Sequence, residues 1–263
     1  ENIVLRVLDR EKSIINLDRL NLQKQMVATL EAMLARPEGI LILTGPTGSG
    51  KTTMLYSLLS KLNNEAVNIM TLEDPVEYPV TMMRQTSVNE VAKMDFANGI
   101  RSIMRQDPDI ILVGEVRDRE TAEMAFRAAM TGHQVFTTLH TNSALGAFPR
   151  LMDIGIPPDI ISGNVIGVLA QRLVRLLCSS CKQGYFPSQE EIHLLRLPSD
   201  SKVKIYKSVG CKHCQSKGYK GRMALLEILQ MDGDLNELVA RRATARELKT
   251  AALQKSFRTL AED

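Results

Sequence analysis

Residues 45–52, Gly45-Pro46-Thr47-Gly48-Ser49-Gly50-Lys51-Thr52, fit the spacing G-x-x-x-x-G-K-[ST]. Glycines at these positions let backbone N–H groups turn inward on phosphates at the start of a helix, where the helix dipole also favours an anion. Lys51 would then reach the β- and γ-phosphates of ATP, and Thr52 would ligand Mg²⁺, with Thr53 as the next residue of the cradle. The apolar run before the loop and the helix-prone stretch after it supply the strand and helix that the motif needs.

A phosphate loop that hydrolyses needs acidic residues at neighbouring strand ends, to hold the metal and orient water. The run Asp109-Ile-Ile-Leu-Val-Gly-Glu115 delivers Glu115 at the carboxyl end of an apolar strand, where α/β sheets bind ligands. Thr71-Leu-Glu73-Asp74-Pro-Val-Glu77 delivers Glu73 in the same manner. Glu115 is expected to act through the Mg²⁺ shell and Glu73 to polarise the attacking water. Asp74 and Glu77 are explained locally, by turns ahead of Pro75 and Pro79.

Two histidines bracket a further apolar strand, His133 before it and His140 after it, where a γ-phosphate would be sensed. A lone histidine is as readily a hydrogen-bonded structural residue. Seven residues along a strand place the pair on opposite faces, so they do not share one metal.

Cys178-x-x-Cys181 and Cys211-x-x-Cys214 are the spacing of a structural Zn²⁺ site, in which four thiolates fill a tetrahedron and no position is left for water. The rival reading is a disulfide framework, which a cytosolic chain disfavours. All four cysteines fall in residues 172–222, where eleven lysines and arginines face three acidic residues. The remainder of the chain is net acidic although the whole carries +3. A basic knob of this kind suits an anionic lipid surface or an acidic partner.

The chain is 263 residues long and 44% hydrophobic, enough for one sizeable α/β core with an appendage. Strands are expected at 40–44, 67–72, 110–113 and 135–139, alternating with helices, the texture of a mostly parallel sheet covered on both faces. Helices are expected at 96–105, where Phe96, Ile100, Ile103 and Met104 share a face, and at 119–130, closed by Gly132. Arg101 and Arg105 of the first helix cannot both be buried and are taken as candidate nucleotide contacts. Two more helices are expected at about 144–152 and 159–177, the latter interrupted near Gly163 and Gly167, and helix resumes only after Met223. The opening residues 3–8 read as a strand entered midway, as in a piece trimmed at both ends. No apolar run reaches transmembrane length and no signal-peptide pattern opens the chain, so a cytosolic protein is expected. With 4% aromatics and no Trp, stacked single-stranded nucleic acid is disfavoured.

Together, Gly45 to Thr53, Thr71-Leu-Glu-Asp-Pro-Val-Glu77, Arg101-Ser-Ile-Met-Arg-Gln-Asp-Pro-Asp-Ile-Ile-Leu-Val-Gly-Glu-Val-Arg-Asp118, the stretch from Thr131-Gly-His133 to His140-Thr-Asn and the four cysteines resemble the type II secretion and type IV pilus assembly ATPases. The resemblance implies a RecA-like P-loop core, a bacterial cytoplasmic hexamer at the inner-membrane face, and coupling of ATP hydrolysis to pilin-like polymerisation through a membrane platform protein. It implies that Glu73 is the catalytic glutamate of an aspartate box, that Glu115 ends a Walker B strand and that His133 and His140 form a histidine box. It also likens Arg6 to an arginine of the preceding domain that reaches a nucleotide. The domain organisation expected is residues 1–10 as the end of an N-terminal domain, 11–170 as the ATPase core, 171–222 as a zinc module and 223–263 as a helical C-terminal part. The rival readings are a RecA-like nucleic-acid or conjugation-type motor and a nucleotide-binding scaffold that does not turn over. No specific nucleic acid is expected as a partner.

Overall fold

The structure is a computed structural model, and it describes residues 17–20, 22–89, 91, 94–198, 203–255 and 257–263. Arg6 and the strand expected at 3–8 lie outside the described residues. In chain order the elements are α1 (Lys24–Leu34), β1 (Gly39–Thr44), α2 (Lys51–Leu62), β2 (Ile69–Glu73), β3 (Met83–Ser87), α3 (Phe96–Ile103), β4 (Ile110–Val113), α4 (Arg119–Met130), β5 (Gln134–Leu139), α5 (Ala147–Ile154), α6 (Pro158–Asn164), β6 (Val165–Leu177), β7 (Gln183–Tyr185), α7 (Gln189–Leu194), β8 (Ile205–Lys207), β9 (Tyr219–Gln230), α8 (Gly233–Ala240) and α9 (Ala245–Leu253). No helix of the described residues is long and apolar enough to cross a membrane.

The chain forms two compact units, residues 1–172 with 224–263, and residues 173–223. The larger unit is built on a sheet of order β3-β2-β4-β5-β1-β6-β9, in which the pairs from β3 to β6 are parallel. This is the mostly parallel α/β sheet that the alternation of elements predicts. Because strand side chains alternate, β1 feeds two separate cores. Ile40 and Ile42 enter one cluster with Leu72, Ile111, Val135 and the helix residues Ile100 and Ala125. Leu41 and Leu43 enter the other, with Leu58, Leu112, Phe136 and Leu169.

Helix starts follow capping chemistry. Asp95 accepts the Asn98 N–H (2.7 Å) before α3, and Asp118 accepts the Thr121 N–H (2.9 Å) before α4. Gly132 takes φ +96° after α4, the left-handed turn expected of a helix-ending glycine.

Two expectations are corrected, and one strand was not foreseen. The helix expected over 159–177 ends at Asn164, and Val165–Leu177 is a strand. Its first seven residues are all buried, and a strand covered on both faces has no period for the sequence to reveal. Residues 219–230 are likewise a strand, so the stretch after Met223 is not helical until α8. The edge strand β3, Met-Arg-Gln-Thr-Ser, is too polar to signal itself.

The smaller unit holds the two-stranded antiparallel ribbon β7–β8, the capped helix α7 and the four cysteines. Large apolar side chains stand exposed on it, among them Phe186, Leu194, Tyr206 and Val209. Lysines cover several of its rings, with Lys182 Nζ 4.6 Å from the Tyr206 centroid and Lys204 Nζ 5.4 Å from that of Phe186.

Candidate functional site

The phosphate loop joins β1 to α2 at the carboxyl edge of the parallel strands, where their ends and the following helix N-termini converge. Gly45 has φ +147°, and a Cβ there would stand 2.5 Å from the Gln171 carbonyl, so only glycine fits. Gly50 caps α2 in the left-handed region at φ 86°, ψ 22°, with no side chain closing the helix N-terminus. The first N–H groups of α2 thus stay available to an anion. A Cβ on Gly48 would meet nothing within 4 Å, which marks the open side of the cradle. Pro46 and Thr47 are exposed, Ser49 is buried and Thr53 is half-buried. The Ser49 hydroxyl and Gln171 Oε1 are buried without a partner among the described residues, polar capacity that suits a ligand at the loop.

Lys51 Nζ donates to the carbonyls of Gly45 (2.8 Å) and Pro46 (3.2 Å). Burial lowers the Lys51 pKa below the ordinary lysine value; Glu115 opposes that shift and the charge of Arg172 adds to it. Arg172 itself donates to the carbonyl (3.1 Å) and side-chain oxygen (3.3 Å) of Asn142. Two cations therefore flank a loop already rich in N–H donors, a field built for a polyanion.

Glu115 lies just past β4 and its side chain is 13% exposed. Arg117 pairs with one of its oxygens and His140 Nε2 stands 3.4 Å from the other. β5 brings His140 there, and Thr44 at the end of β1 ties the following turn, accepting the Thr141 N–H at 2.8 Å. Lys51, Thr52, Glu115 and His140 thus stand at one edge of the sheet, past the ends of β1, β4 and β5.

Glu73 is 5% exposed, and Thr71 Oγ1 (2.6 Å), Gln85 Nε2 (3.3 Å) and the Tyr56 hydroxyl all donate to its carboxylate. Glu77, which the sequence assigns to a turn, instead accepts the Thr52 hydroxyl at 3.1 Å. It is the residue that sequence reasoning passed over. The signal was present in its position, four residues past a strand-end glutamate, but the flanking prolines offered a sufficient local explanation.

Other candidates stand elsewhere. His133 stands just before β5, at the opposite edge, where its Nδ1 meets the Ala128 carbonyl at 2.9 Å beside the end of α4. Six strand residues, about 20 Å, separate it from His140. Arg101 pairs with Glu120 and Asn98, both at 2.9 Å. Arg105 is exposed beyond α3, next to Gln106, whose carbonyl accepts from Asn68 at the start of β2. Because α3 runs back against the strands, its carboxyl end cannot approach the loop of its own chain.

In the smaller unit the four cysteine Sγ atoms lie within 4.8 Å of one another. Separations are 3.9 Å for Cys178–Cys211 and 3.8 Å for both Cys181–Cys214 and Cys211–Cys214. A tetrahedral ion with S–metal bonds of about 2.3 Å has edges of about 3.8 Å, so the cluster fits Zn²⁺ and is too open for disulfides. The N–H groups of Cys211 and Gly218 donate to Cys214 Sγ, both at 3.2 Å. Burial pushes the Cys214 thiol up, but these donors and the neighbouring thiols outweigh it and bring it to about 6.

The profile of the type II/IV secretion system protein family matches residues 1–263. The chain is 45% identical over 248 residues to the type II secretion system protein E of Pseudomonas aeruginosa, covering 94% of this chain and 49% of that one. It is 41% identical over 266 residues to the type IV pilus assembly ATPase TfpB of Acinetobacter baylyi, covering 99% and 45%. The chain spans about half the length of the curated relatives it matches. Among solved structures it resembles the pilus retraction motor PilT with bound ADP, at 28% identity, TM-score 0.66 and coverage of 98% and 67%. The fold alone is shared with the ATPase DotB of Legionella pneumophila, at 23% identity, TM-score 0.64 and coverage of 94% and 59%. The family match spans the phosphate loop, the strand-end carboxylates and the four cysteines alike, and the chain belongs to the type II/IV secretion system protein family.

Proposed function

We propose that the chain binds Mg²⁺–ATP at residues 45–53, hydrolyses it, and serves as the motor core of a protein-secretion or pilus-assembly machine. The observation that carries this reading is the convergence of Lys51, Thr52, Glu77, Glu115 and His140 at one sheet edge, beside an uncapped helix N-terminus. Bound Mg²⁺ would neutralise charge developing on the transferred phosphoryl group. Thr52 and Glu77 would hold the metal side of the site, Thr52 as ligand while still donating its proton to Glu77. Lys51 would leave the loop carbonyls for the phosphates. Glu115 would exchange Arg117 and His140 for the metal shell and its water, and His140 would face the γ-phosphate.

The geometry favours Glu77 over Glu73 as the aspartate-box carboxylate that orients water, because Glu77 already touches the metal ligand and Glu73 is enclosed by donors. Arg101, Arg105 and His133 stand away from the loop of their own chain and are proposed to serve nucleotide sites between subunits of a ring, a homohexamer. Arg6 is proposed to reach a nucleotide as the family resemblance implies. The further proposals are Zn²⁺ on Cys178, Cys181, Cys211 and Cys214, a cytoplasmic position at the inner-membrane face, a platform protein as partner, and anionic-surface contact by the basic unit. The division into residues 1–10, 11–170, 171–222 and 223–263 is retained as a proposal.

The test is ATP turnover per chain against chain concentration, with and without the cytoplasmic part of the platform protein. Turnover that rises with concentration and vanishes in Lys51→Ala is expected. ATP binding unaffected by Lys51→Ala would overturn the reading.

A further inference from the structure

Glu73 sits at the end of β2 with both carboxylate oxygens engaged. The Tyr56 hydroxyl donates to Oε2, and Thr71 Oγ1 (2.6 Å) and Gln85 Nε2 (3.3 Å) donate to Oε1. Gln85, on the edge strand β3, also accepts the Val80 N–H at 2.7 Å and donates to the Tyr78 carbonyl at 3.2 Å. The Tyr78 ring meets Tyr56 edge-on, with centroids 4.8 Å apart and planes at 77°. Residues 78–80 are thus held from both ends of one polar cluster, directly after Glu77 in the chain.

Tyr56 and Thr52 are four residues apart on α2 and so share a face of that helix. One face of the phosphate-loop helix therefore reaches Glu77 through Thr52 and Glu73 through Tyr56. Tyr56 is fully buried, and a phenylalanine would fill the same volume. What the hydroxyl adds is a donor to a buried carboxylate, and such charge-assisted bonds are strong and directional. Burial, then the bond to Glu73, raise the Tyr56 pKa well above the ordinary tyrosine value, so the group stays a donor at any working pH.

We infer that Tyr56, Glu73 and Gln85 form a positioning network that sets Glu77 against Thr52, so that the buried glutamate of the aspartate box orders the loop while its neighbour four residues on faces the metal. This inference rests on the Mg²⁺–ATP role proposed above for Thr52 and Glu77. Tyr56 and Gln85 bond to Glu73 and to each other, so they act as positioning residues whose effect travels through Glu77.

The experiment is calorimetric binding of ATP to the 263-residue chain, in EDTA and across a Mg²⁺ series, with kcat measured alongside. Tyr56→Phe is expected to raise the Mg²⁺ concentration for half-maximal tightening about tenfold and to lower kcat by roughly ten- to hundredfold, with ATP affinity in EDTA unchanged. Gln85→Leu, on an edge strand, should act in the same direction and decides the matter if Tyr56→Phe does not fold. In a Glu77→Gln background Tyr56→Phe should add nothing further. An unchanged Mg²⁺ dependence in both variants, or a Tyr56→Phe effect that persists undiminished in Glu77→Gln, would overturn the inference. A wild-type chain whose ATP binding is indifferent to Mg²⁺ would instead remove the function proposed above, and that is seen before any variant is made.

Discussion

Glu115 is the residue at which the charges of the site meet. It is nearly buried and takes Arg117 on one oxygen and His140 near the other, so removing its charge leaves two cationic or donor groups without an acceptor. Glu115→Gln keeps the size and some hydrogen bonding. For the hydrolysis proposed, it is expected to lower kcat about a hundredfold or more while changing ATP affinity only a few-fold, as measured by steady-state turnover and equilibrium binding. An unchanged kcat would take Glu115 out of the chemistry. Glycines matter at the same scale. Gly99 on α3 faces Leu72 of β2, and a Cβ would come within 2.3 Å of its Cδ2. Gly99→Ala should destabilise the larger unit by about 1–3 kcal/mol, read from denaturant midpoints, because helix and sheet must part to admit the methyl group.

Among elements, α8 shows how a cap and an ion pair combine. Asp232 accepts the Leu235 N–H at 3.0 Å and Lys255 Nζ reaches it at 2.5 Å. Burial pushes the Asp232 carboxyl up, but the Leu235 N–H and Lys255 outweigh it and hold it below the ordinary aspartate value of 3.8. A carboxyl depressed in the folded state contributes stability above its unfolded value and loses it as pH falls through the folded one. The stability lost in Asp232→Ala, about 1 kcal/mol for the cap, should therefore be full above pH about 4 and fade in more acidic solution, as thermal melts at several pH values would show. Sequence was a good guide to elements with both a period and a boundary signal. β4 and α4 fall where expected, since Asp118 and Gly132 punctuate a clear helical pattern. It was a poor guide to β6, whose burial on both faces erases the period, and to β3, whose polarity mimics a loop. The site divided similarly. The positions of Glu115 and His140 past apolar strands were legible in the sequence, but one-dimensional spacing could not say which edge of the sheet receives His133 or Arg105. Nor could it show that Thr52 would turn toward Glu77 across a distance of 25 residues in the chain.

For the whole molecule, the smaller unit stands apart in its means of stability. It buries little apolar surface and gathers four thiols at tetrahedral spacing, the arrangement of a domain that a metal folds. One zinc per chain is expected by elemental analysis, with none retained after Cys178→Ser and Cys214→Ser together; a folded, metal-free wild type would refute the site. The larger unit has two cores of its own on either side of the sheet. Its phosphate loop has a thermodynamic character of its own. Lys51 rests on the Gly45 and Pro46 carbonyls, the Thr52 hydroxyl rests on Glu77, and Glu115 is held by Arg117 and His140. A ligand arriving there displaces partners rather than finding bare charges, so its binding is an exchange reaction with a modest net free energy. For the hydrolysis proposed, the same exchange run backwards would give each of these groups a partner again, so that release of the product restores bonds as it breaks them.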